Sequence, residues 1–146
     1  MQSSLPIQTV QQIRDQCLCL ASQRAARKLA RRFDRLFAPL GLTNGQFSML
    51  VALSGQWQPR LGELADFLAM DATTMTAAAK TLEKRGLLCL VADEKDARAR
   101  RPALTEAGHA AVAEATPLWS QEHARLHAEL AGIDAAALAK ILSQLG

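Results

Sequence analysis

Two short apolar-patterned segments, separated by only three residues, constrain the fold of this chain more than any other feature. In the first segment, four apolar residues recur at the spacing of one helical face: Leu61, Leu64, Ala65 and Leu68. After residues 69–70, Asp71 has the side chain of a helix N-cap, and Gly86 has the freedom to end a helix that begins at residue 72. Two short helices joined by such a turn form a helix-turn-helix.

The second helix of this pair has two contrasting faces. Met75, Ala78, Ala79 and Leu82 share one side and are expected to pack inward. The other side carries hydroxyls, a methyl group and two amines but no acid, which is typical of a helix that lies in the major groove of DNA. The candidate DNA contacts of this helix are Thr73, Thr74, Thr76, Ala77, Lys80 and Lys84.

An extended apolar run, residues 87–92, follows the second helix, and a charged turn separates it from a returning segment that ends at Leu104. A helix-turn-helix followed at once by a β-hairpin with a basic tip is a winged helix. The tip can carry arginine into the minor groove, where the negative potential is strongest over narrow A·T-rich stretches. The candidate contacts from the wing are Arg98, Arg100 and Arg101.

The composition favours helix over sheet throughout the chain. Aromatic residues make up 4% of the 146 residues and tyrosine is absent, while alanine and leucine dominate. Residues 10–37 contain no proline or glycine and predict one long helix whose apolar side rotates along its length. We therefore predict a mainly α fold with a small β-hairpin wing, a winged helix-turn-helix with terminal dimerisation helices.

The length of the chain corresponds to a single domain, residues 1–146. Residues 43–104 are predicted to form the winged-helix DNA-binding part, and residues 5–40 and 105–146 the dimerisation helices. Residues 1–104 hold 15 Lys and Arg against 9 Asp and Glu, whereas residues 105–146 hold 2 against 5. This asymmetry favours nucleic acid as the partner of the first two thirds, although scattered solvated charges would produce it as well.

Several motifs occur in an order and spacing that resemble the MarR family of bacterial transcription regulators, over nearly the whole chain. They are the leucine pattern of residues 61–68, Thr73-Thr74-x-Thr76, residues 82–87 (LEKRGL), Asp93-x-x-Asp96-x-Arg98 and Leu104-Thr105-x-x-Gly108. The resemblance implies a homodimeric winged-helix repressor or activator that binds pseudo-palindromic DNA and releases it when a small ligand or an oxidant acts on the dimer. By position, Arg98 is the wing arginine and Asp96 its brace. Ala77 departs from the family pattern, since many relatives carry a longer polar or basic side chain there, so the base preference does not transfer.

The chain contains three cysteines, at positions 17, 19 and 89, which are candidates for a structural or a redox role. Cys17 and Cys19 would lie about 200° apart on an intact helix, which excludes a disulfide between them or a shared metal ion as long as the helix is unbroken. Core packing and oxidant sensing both stay open for this pair, and Cys89 is expected to be buried in the wing strand. Hydroperoxide-sensing relatives keep a thiol near the position of Cys19 but hold it with tyrosines, which this chain lacks. The sequence therefore favours a small aromatic or apolar ligand as the inducer, with Phe33, Phe47 and Trp57 as its candidate pocket.

The chain lacks the motifs that would indicate an enzyme, a metal-binding protein or a membrane protein. It has no glycine-rich phosphate loop, no zinc-protease motif and no nucleophile elbow, so we expect neither an enzyme nor a cofactor. His123 and His127 are four residues apart on one helical face without a third ligand nearby, so no metal site is predicted. No apolar run reaches the roughly 18 residues of a membrane span, and we expect a cytoplasmic protein. A nonspecific architectural DNA-binding protein is the competing interpretation.

Overall fold

The computed structural model describes residues 4–146 and confirms a mainly helical fold with one antiparallel β-hairpin. The seven helices of this part of the chain are α1 (Ile7–Gln16), α2 (Leu18–Phe37), α3 (Asn44–Leu53), α4 (Leu61–Phe67), α5 (Ala72–Lys84), α6 (Glu106–Glu129) and α7 (Ala135–Ser143). A 3₁₀ turn (Ala38–Leu40) follows α2, and the hairpin consists of β1 (Leu88–Ala92) and β2 (Arg100–Leu104).

The prediction of one long first helix is wrong at Cys17. This residue adopts an extended conformation with ψ 111°, and it ends α1 and caps α2. Its Sγ accepts a hydrogen bond from the N–H of Leu20 at 3.4 Å. Two separate helices, and not one continuous helix, therefore carry the apolar side chains of residues 10–37, and those of Val10 and Ile13 in α1 stay exposed in the single chain.

The winged part of the chain is built around a well-filled core. Thr43 starts α3 with a capping box, in which its hydroxyl accepts the Gln46 N–H and the Gln46 side chain accepts the Thr43 N–H. Contacts to this core come from α2, α3, α4, α5, β1 and α6, and its fully buried large side chains are Phe37, Met49, Leu50, Leu64, Met75, Leu82 and Leu88. The hairpin pairs Leu88 with Leu104 at its base and Ala92 with Arg100 near its tip.

The helix α6 runs without a break through Pro117, although a proline inside a helix removes one backbone hydrogen bond. It packs against α2 through ionic contacts, in which Arg32 pairs with Glu122 and binds both carboxylate oxygens of Glu129 at 2.8 and 2.9 Å. The hydrogen bond from Arg32 is the largest cause that keeps the pKa of Glu122 below its ordinary value. One guanidinium thus joins the long helix α2 to the second half of α6.

None of the helices described in residues 4–146 is both long and apolar enough to cross a membrane alone. One bent pair, Leu18–Leu40 with Asn44–Leu53 at 76°, meets the criterion jointly by length and composition only.

Candidate nucleic-acid interface

The helix α5 begins with a tight side-chain cap. Asp71 accepts hydrogen bonds from the Thr74 N–H at 2.8 Å and from the Thr74 hydroxyl at 2.7 Å. The backbone N–H of Thr74 is the largest cause that lowers the pKa of Asp71. The turn before the cap places Ala69 in the left-handed region, with φ 53°. These contacts fix the residue at which α5 begins, but they also occupy the hydroxyl of Thr74.

The outward face of α5 carries the groups that were expected to reach DNA. Thr73, Ala77, Lys80 and Lys84 are exposed, while Met75, Ala79 and Leu82 on the opposite side are buried. The hydroxyl of Thr76 donates to the carbonyl of Ala72 at 2.9 Å, so it turns back on its own helix. The groups free to act as donors toward a base or a phosphate are therefore Thr73, Lys80 and Lys84.

The wing presents two exposed arginines, Arg98 in its tip and Arg100 at the start of β2. Its tip is shaped by Asp96, whose Oδ1 accepts the N–H of Arg98 at 3.0 Å and whose carbonyl accepts the N–H of Ala99 at 3.0 Å. Asp96 thus braces the backbone of the tip, whereas among the described residues no ion pair joins it to the guanidinium of Arg98. The Arg98 side chain is available for a minor-groove contact.

Arg101 has a different place from the one predicted. It is half-buried, its guanidinium pairs with Asp93 at 3.3 Å, and it donates to the carbonyl of Gln58. Adjacent residues of a strand point to opposite faces, so Arg100 and Arg101 cannot both face DNA. Arg101 instead holds the hairpin in place near the tip end of its strands, so it is not a candidate DNA contact.

The partner of Arg101 is the buried carboxylate of Asp93, a residue of the Asp93-x-x-Asp96-x-Arg98 motif for which the sequence predicted no role of its own. The Asp93 side chain is 3% exposed and lies 2.6 Å from Nε of Arg60, the residue that precedes α4. Burial of Asp93 pushes its pKa up, but the Lys95 N–H and the guanidinium groups of Arg101 and Arg60 outweigh it and leave the pKa below its ordinary value. The sequence pattern that could have indicated a role for Asp93 is its position as an acidic residue between an apolar strand and a run of arginines.

A groove of about 250 Å³ lies between α2, α3 and α6. Phe33 and Phe47 line it as predicted, together with Trp119 and His123, whose rings stack with centroids 4.2 Å apart. Trp57 does not belong to this groove, because it packs edge-on against Phe67 of α4 with a centroid distance of 5.3 Å. The tryptophan that lines the groove is Trp119 of α6, which lies more than 60 residues after Trp57 in the chain.

The three cysteines are free thiols, and their surroundings differ from the expectation in part. Cys89 is exposed, not buried, because it lies on the outer side of β1. Cys19 is exposed as well, with its Sγ accepting a hydrogen bond from Nε2 of Gln23 at 3.2 Å, while Cys17 is half-buried. Within residues 4–146, no group of three or more His, Cys, Asp or Glu side chains is arranged to hold a metal ion.

Comparisons with known proteins agree with this geometry. A family model described as the MarR family matches residues 42–99. The M. tuberculosis transcriptional regulator MosR, solved in complex with DNA, is 36% identical with a TM-score of 0.77, over 88% of this chain and 95% of that chain. The transcriptional repressor CouR, solved bound to a 23-mer DNA duplex, is 30% identical with a TM-score of 0.77, over 97% of each chain.

Apo MarR from E. coli shares the fold, with a TM-score of 0.72 at 23% identity, over 87% of this chain and 95% of that chain. Among the curated proteins, no sequence matches this one significantly. Regulators of this family function as dimers on DNA. The chain belongs to the MarR family and is a winged-helix, DNA-binding transcription regulator.

Proposed function

We propose that this regulator is a repressor that binds a pseudo-palindromic operator as a homodimer, with α5 in the major groove and the wing tip in the minor groove. The observation that carries this proposal is the exposed face of α5, which presents Thr73, Lys80 and Lys84, together with the exposed Arg98 and Arg100 of the wing. Small polar and cationic side chains on a helix, followed by a hairpin with exposed arginines, fit base readout flanked by phosphate and minor-groove contacts.

The ends of the chain support a homodimer. Large apolar side chains there are between 46% and 71% exposed in the single chain: Leu5, Ile7, Val10, Ile13 and Leu18 at one end, and Ile133, Ile141, Leu142 and Leu145 at the other. Monomeric proteins rarely leave so many apolar side chains in contact with water. A twofold interface built from both ends would cover them and would set the two α5 helices about one turn of DNA apart, roughly 34 Å.

Selection of duplexes from a random library tests this proposal. A sequence-specific repressor should enrich one palindromic site and bind it at least about a thousandfold more tightly than random DNA at the same salt concentration. An architectural DNA-binding protein would bind both duplexes alike, and that result would contradict the proposal. Light scattering at micromolar concentration should give a dimer, with or without the duplex.

We further propose that the groove of Phe33, Phe47, Trp119 and His123 binds a small planar aromatic ligand that releases DNA. The Trp119 and His123 rings, tilted by 32° to each other, offer aromatic surface to such a ligand, and Asn44 and Ser48 add polar groups to the lining. The chain contains two tryptophans, so Trp57→Phe leaves Trp119 as the only one. Fluorescence of that variant should be quenched by benzoate or naphthoate. Ser48→Phe, which fills the groove, should abolish quenching, whereas Ser48→Ala should not.

A second candidate for the signal is an oxidant acting on Cys17 and Cys19. The observation that favours it is the break between α1 and α2, because Cys17 is not in helical register with Cys19 and the angular argument against their pairing does not apply. An organic hydroperoxide would oxidise the two thiols to a disulfide and leave as an alcohol and water. One equivalent of peroxide should then release DNA from the wild type and from Cys89→Ser, but not from Cys17→Ser or Cys19→Ser. Release from all four proteins would exclude this pair as the sensor.

As a regulator of transcription, the protein would act beside chromosomal DNA. We propose a cytoplasmic location and a role that involves no catalysis, in line with the family to which the chain belongs. Cell fractionation of the native protein checks the location.

A further inference from the structure

The wing is attached to the rest of the fold by a cluster of charges near the tip end of its two strands, which we call the wing clasp: Arg60, Asp93 and Arg101. Asp93 directly follows β1, Arg101 belongs to β2, and Arg60 precedes α4, the first helix of the helix-turn-helix. The carboxylate therefore connects three separate stretches of chain. Arg101 adds a fourth connection by donating to the carbonyl of Gln58.

The wing clasp is built as a fixed joint and not as a solvated surface contact. Only 3% of the Asp93 side chain is exposed, compared with 32% for Arg101 and 39% for Arg60. Asp93 also accepts the N–H of Lys95 at 3.3 Å, and its own N–H donates to the carbonyl of Ala99 at 3.1 Å. It is therefore hydrogen-bonded to both ends of the tip loop. Buried carboxylates need such compensation, and a half-broken cluster would leave a charge unpaired.

The position of this joint relates it to the DNA-binding surface. The tip residues 94–99 lie between the two strands that the wing clasp holds, and Arg98 and Arg100 have no ion-pair partner among residues 4–146. Their reach toward the minor groove therefore depends on the angle at which the hairpin leaves the helix-turn-helix. A second attachment lies nearer the base of the hairpin, where the Glu83 carboxylate of α5 accepts the N–H of Leu90 at 2.9 Å.

We propose that Asp93 is a positioning residue for DNA binding: through Arg60 and Arg101 it fixes the wing relative to α4, so that Arg98 reaches the minor groove while α5 occupies the major groove. The proposal rests on the DNA-binding function of the chain and concerns a residue that does not touch DNA. Asp93 is negatively charged, as DNA is, yet the proposal predicts that it strengthens the binding of DNA.

This assignment reverses the sign expected from charge alone, which makes it testable with one substitution. Asp93→Asn removes a negative charge and releases two guanidinium groups, so long-range electrostatics predicts tighter binding to DNA. The proposal predicts weaker binding to a duplex selected by the wild-type dimer, by about tenfold or more, since correctly placed minor-groove contacts are lost. Binding to random duplex should stay equal or become tighter.

Glu94 provides the matched control. It is the next residue, it is exposed, and within the described chain it makes no ion pair. Glu94→Gln therefore changes the net charge by the same amount without touching the wing clasp, and it should tighten binding by up to about fivefold at low salt. If Asp93→Asn tightens binding to the selected duplex as Glu94→Gln does, the proposal is wrong.

Chemical footprinting separates positioning from a general loss of structure. Hydroxyl radicals report protection in the minor groove, where the wing would lie, and dimethyl sulfate reports protection of guanine N7 in the major groove, where α5 would lie. Asp93→Asn should lose the first protection and keep the second. Should it fail to fold, as judged by circular dichroism, Arg60→Gln serves instead, because that side chain is partly exposed. Arg60→Lys should restore part of the minor-groove protection, and an unchanged footprint in Arg60→Gln would contradict the proposal.

Discussion

The first turn of α6 approaches the start of the wing so closely that only glycine fits at position 108. A Cβ atom there would lie 2.0 Å from the carbonyl oxygen of Leu87 and 3.1 Å from its carbon, whereas ordinary contacts begin near 3.4 Å. The same oxygen accepts the N–H of Thr105 at 3.2 Å, and the Thr105 hydroxyl donates to the carbonyl of Gly86 at 2.6 Å. Gly108→Ala must therefore separate backbone from backbone by more than 1 Å.

The expected loss can be worked out from these contacts. Overpacking of this kind costs about 1 to 3 kcal/mol, and weakening of the hydrogen bond from Thr105 adds about 1 kcal/mol. Alanine regains at most about 1 kcal/mol over glycine as a helix former. The net loss in the free energy of unfolding is about 2 kcal/mol, which for a chain of this length lowers Tm by about 4 to 8 °C.

Calorimetry or circular dichroism at a fixed protein concentration measures this change, since the Tm of a dimer depends on concentration. Gly45→Ala is the matched control. Gly45 also lies in the first turn of a helix, but a Cβ there would meet no atom within 4 Å, so its Tm should be unchanged or higher. The reasoning is refuted if Gly108→Ala melts at the wild-type temperature or above it.

Three further outcomes are expected. Arg98→Ala should weaken binding mainly to sites with A·T-rich flanks, and Lys80→Ala should cost about 1 to 3 kcal/mol if it contacts a base; equal affinities for both variants and the wild type at moderate salt would contradict the docking. Asp71→Ala should lower the free energy of unfolding by about 1 kcal/mol through loss of the α5 cap, measured by urea titration, and no change would contradict the assigned cap. Arg32 lowers the pKa of Glu122, so the stabilisation by this pair is complete above the ordinary pKa of 4.5 and is lost as the pH falls through the lower pKa of the folded protein. Glu122→Gln should therefore make the free energy of unfolding less dependent on pH in the acid range. A pH profile identical to that of the wild type would contradict this.

The sequence was sufficient where the deciding interactions are local. Asp71 was predicted as a helix cap and caps α5 through its own side chain, and Thr43 and Thr105, which have side chains of the same capping kind, do so for α3 and α6. The leucine spacing before residue 69 and the glycine at position 86 located the helix-turn-helix for the same reason, since caps and helical periodicity act within one or two turns.

The sequence was insufficient where contacts join distant residues. Nothing near Trp57 or Trp119 indicates which of them faces Phe33, because that depends on how α6 lies across α2 and α3. No proline or glycine marks the break at Cys17, so the only sign of it in the sequence is the rotation of the apolar face along residues 10–37. The place of Arg101 could have been predicted, because neighbouring residues in a strand alternate between faces and only one of two adjacent arginines can point to DNA.

The proline in the middle of α6 has a mechanical consequence. Pro117 has no N–H, so the carbonyl of Ala113 lacks the donor that the helix would otherwise supply. The half of α6 before this point is bonded to the base of the wing, and the half after it is bonded to Arg32 of α2. A rod weakened at its midpoint bends there under a smaller force than elsewhere, so strain from either half is absorbed near residues 113–117. Trp119 and His123 lie just beyond that point, so whatever occupies their groove acts next to the most compliant turn of the helix.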